Sequence, residues 1–154
     1  MLLKIYMDVC CLNRPFDDQT QEKVRFETEA IISILKRCNV DRDWKLTGSD
    51  IISLEISKNQ DPLRKQKVLL LCEGVTEIIK YNAAIKSRAA EFRGYNVKLF
   101  DRLHLAAAEY ANVDIFLTVD TQLLRAAARS DLKIRAANPL TYYMEVLNDE
   151  PSFN

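Results

Sequence analysis

The stretch "FDRLHLAAAEYANVDIFLTVD", residues 100–120, predicts a helix, a buried strand and the start of a second helix. Aspartate is a favoured residue type at helix starts, and Asp101 and Asp120 each stand at such a position. Between them, "DIFLTV" at 114–119 is an apolar run, which is typical of a strand covered on both faces. This unit indicates an α/β protein.

The same alternation continues on both sides of that stretch. Strands are predicted at Leu2–Met7, 44–48 ("WKLTG"), 75–79 ("VTEII") and 132–136 ("LKIRA"), with a turn at 13–15 ("NRP"). Further helices are predicted at about 21–38, from Ser49 or Asp50 to about 58, at about 62–72, at 81–93 and after Pro139. Strands that alternate with helices predict a parallel sheet covered on both faces.

The length and composition favour one globular domain. We expect it to span residues 1–148 of the 154, followed by a short polar tail at 149–154. The 22 basic and 22 acidic residues balance, which excludes a protein that coats nucleic acid through a broad basic surface. Four cysteines without a C-x-x-C pair and one histidine argue against a zinc site. Without a signal peptide or a bilayer-length apolar run, a cytoplasmic protein with no membrane partner is expected.

Three aspartates stand where predicted strands end or helices begin. Asp8 follows the first strand, Asp120 follows "DIFLTV", and Asp101 begins a helix. Ligands of open parallel sheets bind beyond the carboxyl ends of the strands, so these side chains are candidates for one shared site. Helix capping alone also explains Asp101 and Asp120, and Asp8 also suits the start of a turn.

Two glutamates fall on apolar helix faces. Glu55 lies between Ile51 and Ile52 on a helical wheel, and Glu27 lies among apolar residues while Glu29 points away. A buried carboxylate requires a cation or hydrogen-bond donors. Glu55 is therefore a site candidate, whereas Glu27 also suits a salt bridge to a nearby arginine.

Carboxylates that converge on one point repel each other, and a divalent cation relieves that repulsion. Oxygen ligands suit Mg²⁺ or Mn²⁺. Such a metal activates a bound water and stabilises charge on a phosphate, which is the chemistry of phosphodiester hydrolysis.

Three blocks resemble the PIN domain family in order and spacing. They are "IYMDVCCLNRPFDD" at 5–18, "SLEIS" at 53–57 and the stretch at 100–120. The resemblance implies a three-layer α/β/α sandwich with a central parallel sheet, and a metal-dependent ribonuclease of the VapC-like toxin type. It also implies an RNA substrate, a cognate antitoxin partner and a homodimer. The family's acids fall on Asp8, Glu55, Asp101 and Asp120, and Thr118 would hold Asp120 or a metal-bound water.

The first block departs from the family pattern at one position. Cys10 stands where the family often has asparagine or serine, and Asn13 is a candidate to compensate for it. Arg14 is placed either to contact a substrate phosphate or to pair with Asp17 or Asp18. His104, one turn after Asp101, suits either a general base or a packed, hydrogen-bonded side chain.

Two other functions remain open at this point. One is a catalytically weak PIN-fold domain that binds RNA or protein, for which the cysteine at position 10 is the argument. The other is a haloacid-dehalogenase-type phosphohydrolase, which expects a second aspartate two residues after the first. Because Cys10 stands there, this second alternative has less support.

Overall fold

A computed structural model describes residues 2–150, and its described part contains a five-stranded sheet of order β3-β2-β1-β4-β5. Every neighbouring pair of strands is parallel. The strands are β1 (Leu3–Met7), β2 (Trp44–Ser49), β3 (Val75–Ile79), β4 (Ile115–Leu117) and β5 (Ala136–Ala137). The predicted parallel sheet is confirmed.

Eight α-helices of the described residues surround this sheet. They are α1 (Val9–Asn13), α2 (Glu22–Asn39), α3 (Asp50–Ser57), α4 (Pro62–Leu71), α5 (Ala83–Glu91), α6 (Leu99–Tyr110), α7 (Thr121–Arg129) and α8 (Pro139–Asp149). Helix α2 packs against β2 and α8, and helix α6 packs against α3 and α5. The predicted α/β/α sandwich is therefore confirmed.

The strand order creates a topological switch point between β1 and β4. From β1 the chain moves outward through β2 to β3, and it then returns to the other side of β1 to form β4 and β5. Connections leave these two central strands in opposite directions, which opens a crevice at their carboxyl ends. The residues that follow β1 and β4 therefore line one crevice.

The two central strands form the centre of the core. Ile5, Tyr6, Ile115, Phe116 and Leu117 have no solvent exposure. The ring of Tyr6 stacks on that of Phe116 at 5.5 Å between centroids. Strands this deeply buried give the crevice a rigid floor.

Three local predictions were wrong. The expected "NRP" turn is instead the end of α1 followed by a 3-10 turn at Arg14–Phe16. The expected strand at 132–136 is reduced to Ala136–Ala137, because the backbone amides of Leu132 and Lys133 donate to the side chains of Ser130 and Glu109.

The third wrong prediction concerns the start of α6. That helix begins at Leu99 and not at Asp101, and Lys98 occupies its N-cap without a side-chain hydrogen bond. Asp101 lies in the first turn instead, where an acid is favoured by the helix dipole without acting as a cap.

The expected tail at 149–154 starts within a helix, since α8 includes Asp149, and residues 151–154 lie outside the described part. Among the residues from 2 to 150, no helix is long and apolar enough to cross a bilayer.

Candidate metal centre

Asp8 occupies the crevice between the two central strands and is only 3% exposed. It follows β1 directly and caps α1, because its Oδ1 accepts a hydrogen bond of 2.8 Å from the backbone amide of Val9. Its Oδ2 accepts from the hydroxyl of Thr118 at 2.9 Å and from the thiol of Cys10 at 3.2 Å. These contacts hold the carboxylate in one orientation.

Thr118 connects Asp8 to the loop that carries Asp120. Its side chain is fully buried, and its hydroxyl accepts a hydrogen bond of 3.1 Å from the backbone amide of Asp120 while it donates to Asp8. The hydroxyl of Thr118 thus contacts Asp120, but the contact is with its backbone amide and not with its carboxylate.

Asp120 is both a helix cap and a neighbour of the crevice. Its Oδ1 accepts hydrogen bonds from the backbone amides of Gln122 and Leu123 at 2.9 and 3.2 Å, as expected for the N-cap of α7. Its Oδ2 accepts no hydrogen bond from residues 2–150, so one oxygen of this carboxylate remains open to a ligand.

Asp101 stands in an unfavourable electrostatic environment. Burial, together with the charges of Asp8, Asp120 and Glu55 and against the opposing effect of His104, raises the pKa of its carboxyl to about 6. Asp101 and Asp120 border one cavity of about 320 Å³, together with Lys98 and Asn96. The four predicted acids therefore act electrostatically on one another.

Glu55 and His104 complete the group around Asp8. The ring nitrogen Nε2 of His104 lies 2.6 Å from Oε1 of Glu55 and 3.8 Å from Oδ1 of Asp8. Asp8, Glu55 and His104 offer ligand atoms that all lie within 4.8 Å of one another. His104 is fully buried, as the packed, hydrogen-bonded interpretation expected.

Tyr6 and Ser49 belong to this site, although the sequence-based interpretation missed them. The phenol of Tyr6 lies 2.6 Å from Nδ1 of His104 and 2.8 Å from the hydroxyl of Ser49. Burial raises the pKa of this phenol well above its usual value, so it stays protonated. The period of two in a strand places Tyr6 on the face of Asp8, which was an available signal.

The family comparison follows from these features of fold and site. The sequence matches the family model for the PIN domain over residues 20–129. The chain belongs to the PIN domain family. Three of the four acids of this PIN domain lie within the matched range, and Asp8 precedes it.

Among solved structures, a similar fold occurs in the crystal structure of VapBC2 from Rickettsia felis bound to a DNA fragment from their promoter. The similarity has a TM-score of 0.60 at 15% identity, and it covers 88% of this PIN domain and 98% of the other chain. Such a likeness shows the shared fold alone. Among curated proteins, none matches the sequence at a significant level.

Two other predicted residues of this PIN domain are engaged in a structural ion pair. Nε of Arg14 lies 3.1 Å from Oε1 of Glu27, and Glu27 also accepts a hydrogen bond from Asn138. Arg14 pairs with Asp17 as well, at 3.2 Å. The salt-bridge interpretation of both residues therefore describes their contacts, and the expected substrate-phosphate contact of Arg14 finds no support in them.

Asn13 and Cys10 both lie near the acids, but Asn13 does not take the place of Cys10 beside Asp8. The amide of Asn13 donates to the backbone carbonyl of Val9 at 3.1 Å, and Asn13 borders a cavity of about 220 Å³ beside Glu55 and Lys58. The thiol of Cys10 contacts Asp8 and Thr118 directly. All four cysteines are free thiols.

The donor set fits a divalent cation. The three mutually close side chains are two carboxylates and an imidazole, and two further carboxylates, those of Asp101 and Asp120, border one cavity. Burial is the main cause of the raised pKa of Asp101, and the nearby negative charges add to it. These side chains could therefore hold a divalent metal ion.

Proposed function

We propose that this PIN domain is an endoribonuclease that depends on Mg²⁺ or Mn²⁺ and hydrolyses RNA phosphodiester bonds. Asp8, Glu55, Asp101 and Asp120 are its proposed metal-binding and catalytic residues. The observation that carries the proposal is the geometry at the crevice between β1 and β4, where Asp8 and Glu55 offer carboxylate oxygens within 4.8 Å of each other and Asp101 and Asp120 border one cavity.

When bound, Mg²⁺ or Mn²⁺ would activate a water molecule and stabilise negative charge on the phosphate. The protein contributes fixed positions for the ligands. Asp8 is oriented by Val9 and Thr118, and Asp120 is anchored by the N-terminus of α7. A preorganised set of oxygens costs little reorganisation when the phosphate reaches it.

Two lysines are suited to contact the phosphates that flank the scissile bond. Lys98 borders the cavity that contains Asp101 and Asp120, and Lys58 borders the cavity beside Glu55. Cations on both sides of the acids would contact successive phosphates of an RNA strand in the crevice. Such local contacts do not require a protein with a positive net charge. This arrangement agrees with the balanced net charge.

A toxin of a toxin–antitoxin module is the proposed biological setting, with a cognate antitoxin as partner, a homodimer as assembly and the cytoplasm as location. The family membership and the fold shared with a chain of the VapBC2 complex support this setting. Growth arrest on expression in a host, absent for Asp120→Asn, tests it. Equal growth effects of both proteins would contradict it.

The primary test is Mn²⁺ binding by titration calorimetry to the wild type, to Asp101→Asn and to Asp41→Asn. The last variant is a matched control, because Asp41 makes only a surface pair of 4.0 Å with Lys36. We expect strong weakening for Asp101→Asn and unchanged binding for Asp41→Asn. Cleavage of a mixed RNA pool should then require the metal and Asp101. Equal metal binding by all three proteins would contradict the proposed site.

The second candidate function is a catalytically weak domain that binds RNA or protein. Cys10 favours it, since its thiol occupies a hydrogen-bonding position on Asp8 where the family often has a harder polar group. Binding of Mn²⁺ without cleavage of any RNA in the pool would favour this candidate. A Cys10→Asn variant that gains cleavage would identify the cysteine as the cause.

A further inference from the structure

Four polar side chains form a continuous chain of hydrogen bonds from β2 to the proposed metal centre. Ser49 contacts Tyr6 at 2.8 Å, Tyr6 contacts His104 at 2.6 Å, and His104 contacts Glu55 at 2.6 Å. Ser49, Tyr6 and His104 are each at most 2% exposed. The hydrogen bonds among Ser49, Tyr6 and His104 are therefore shielded from competition by water, and the side chain of Glu55 is partly exposed.

The direction of these hydrogen bonds follows from the terminal partner. An ionised glutamate only accepts hydrogen bonds, so Nε2 of His104 must carry the hydrogen that faces Glu55. In the neutral ring Nδ1 then has a lone pair, which accepts the hydrogen of the Tyr6 phenol. The phenol oxygen in turn accepts the hydrogen of Ser49, whose own oxygen accepts from the backbone amide of Ile52 at 3.0 Å.

The reverse direction leaves two groups unsatisfied. If Nδ1 carried the only ring hydrogen, the Nε2 lone pair would face a carboxylate oxygen at 2.6 Å. The Ser49 hydroxyl would then accept from both Tyr6 and Ile52, and its own hydrogen would have no acceptor among residues 2–150. Unsatisfied buried donors and acceptors are costly, so the first direction is favoured.

We propose that Tyr6 is a positioning residue that acts through His104 and holds the Glu55 carboxylate beside Asp8. His104 then serves as a hydrogen-bond donor to a metal ligand, and it is neither a general base nor a ligand itself. This inference rests on the proposed metal centre. It assigns to that centre a supporting chain of hydrogen bonds that begins at Ser49, the N-cap residue of α3.

His104 is the single histidine of the protein, so the ring nitrogen signals in a long-range ¹H–¹⁵N NMR spectrum belong to it without further assignment. In the metal-free protein we expect the hydrogen on Nε2 and a hydrogen-bonded lone pair on Nδ1. In Tyr6→Phe, the Nδ1 signal should move toward that of a lone pair without a donor. A wild-type ring with its hydrogen on Nδ1 alone would overturn the inference.

Titration with Mn²⁺ gives the functional measure. Loss of a hydrogen bond that supports a metal ligand lowers affinity by about ten- to hundredfold, and we expect Tyr6→Phe to fall in that range. Tyr142→Phe is the matched control, since it removes the hydroxyl of another buried tyrosine, whose ring is tilted against that of Trp44 at 6.3 Å between centroids. Tyr6→Phe binding as tight as that of Tyr142→Phe would overturn the inference.

Two further variants cover a loss of folding in Tyr6→Phe. His104→Gln retains an N–H donor toward Glu55, so it should bind Mn²⁺ more tightly than His104→Leu, which retains none. Equal affinities of the two variants would overturn the positioning role. Addition of diamagnetic Mg²⁺ to the wild type should leave the hydrogen on Nε2, and its transfer to Nδ1 would instead identify His104 as a ligand.

Failure of the proposed function has a different signature. If the wild type binds neither metal, the metal centre is wrong, and the NMR experiment alone judges the hydrogen-bond chain. If the hydrogen is on Nε2 and the Nδ1 signal changes in Tyr6→Phe, the NMR data still support the role of Tyr6 in positioning Glu55. Any other NMR result overturns that role.

Discussion

Two buried threonines differ in what their hydroxyls contact. Thr118 donates to Asp8 and accepts from the backbone amide of Asp120, whereas the Oγ1 of buried Thr47 has no hydrogen-bond partner within the described residues. The chemistry and burial of the two side chains are nearly the same. Their contribution to stability should therefore differ only through these contacts.

We expect Thr118→Val to lower the free energy of unfolding by about 1–3 kcal/mol, because it removes a donor to Asp8 and leaves the amide of Asp120 without its partner. Thr47→Val should be neutral or stabilising, since it removes a hydroxyl that is already unsatisfied. Urea unfolding of both variants measures the difference. Equal losses would show that Thr118 contributes packing alone.

The carboxyl of Asp101 should make stability depend on pH. Its pKa is raised to about 6 in the folded protein, above the ordinary value near 4, so the folded state holds this proton more tightly than the unfolded state does. The metal-free protein should therefore lose stability as the pH rises from about 4 to about 6.

Asp101→Asn should lack this loss, so the stability of the variant relative to the wild type should increase across the same interval. Urea unfolding at several pH values, in the presence of a chelator, measures the two profiles. Parallel profiles would mean that Asp101 ionises normally and does not interact with the other acids.

At the scale of the element, α6 and α7 show what a local pattern decides. Asp120 caps α7 as its sequence predicts, but Asp101 lies inside α6, which begins at Leu99. A favoured capping residue marks a helix end only to within a turn. The displacement matters for function, because an aspartate that caps nothing keeps its oxygens for the crevice.

Substitutions of Asp120 should separate capping from metal binding. Asparagine is nearly as good an N-cap as aspartate, so Asp120→Asn should keep the stability of the metal-free protein. Asp120→Ala should cost about 1 kcal/mol. Both variants should lose Mn²⁺ affinity in calorimetry, because both remove the charge. Retained affinity in Asp120→Asn would exclude the carboxylate from the metal centre.

At the scale of the whole molecule, one buried ion pair connects three segments that are distant in sequence. Glu27 on α2 contacts Arg14 of the 3-10 turn and Asn138, which caps α8. Glu27 is 1% exposed. The pair fixes how the segment that follows Asp8 docks on the helical layer formed by α2 and α8.

We expect Glu27→Ala to destabilise the protein by about 3–5 kcal/mol, because it breaks a buried ion pair and leaves Asn138 without its acceptor. Glu29→Ala, on the exposed face of the same helix, should change stability by less than about 0.5 kcal/mol. Chemical unfolding of the two variants provides the comparison, and similar losses would show that the ion pair contributes no specific stability.

The sequence by itself determined the parallel sheet, most helix positions, and the placement of Asp8, Glu55 and Asp120 near strand ends. Apolar periodicity and capping are local properties, so they are visible in a short stretch of residues. The two-residue β5 was not predictable in this way, because the side chains of Ser130 and of the distant Glu109 compete for the backbone donors. The start of α6 was not predictable because Lys98 at its N-cap makes no side-chain hydrogen bond.

Only the tertiary structure decided which polar groups meet. The chain from Ser49 through Tyr6 and His104 to Glu55 joins residues that are 43, 98 and 49 positions apart. The tertiary structure also showed that Arg14 and Glu27 form a structural ion pair. A sequence pattern gives the face of an element on which a side chain lies, but the partner on the opposing element follows only from how the elements pack.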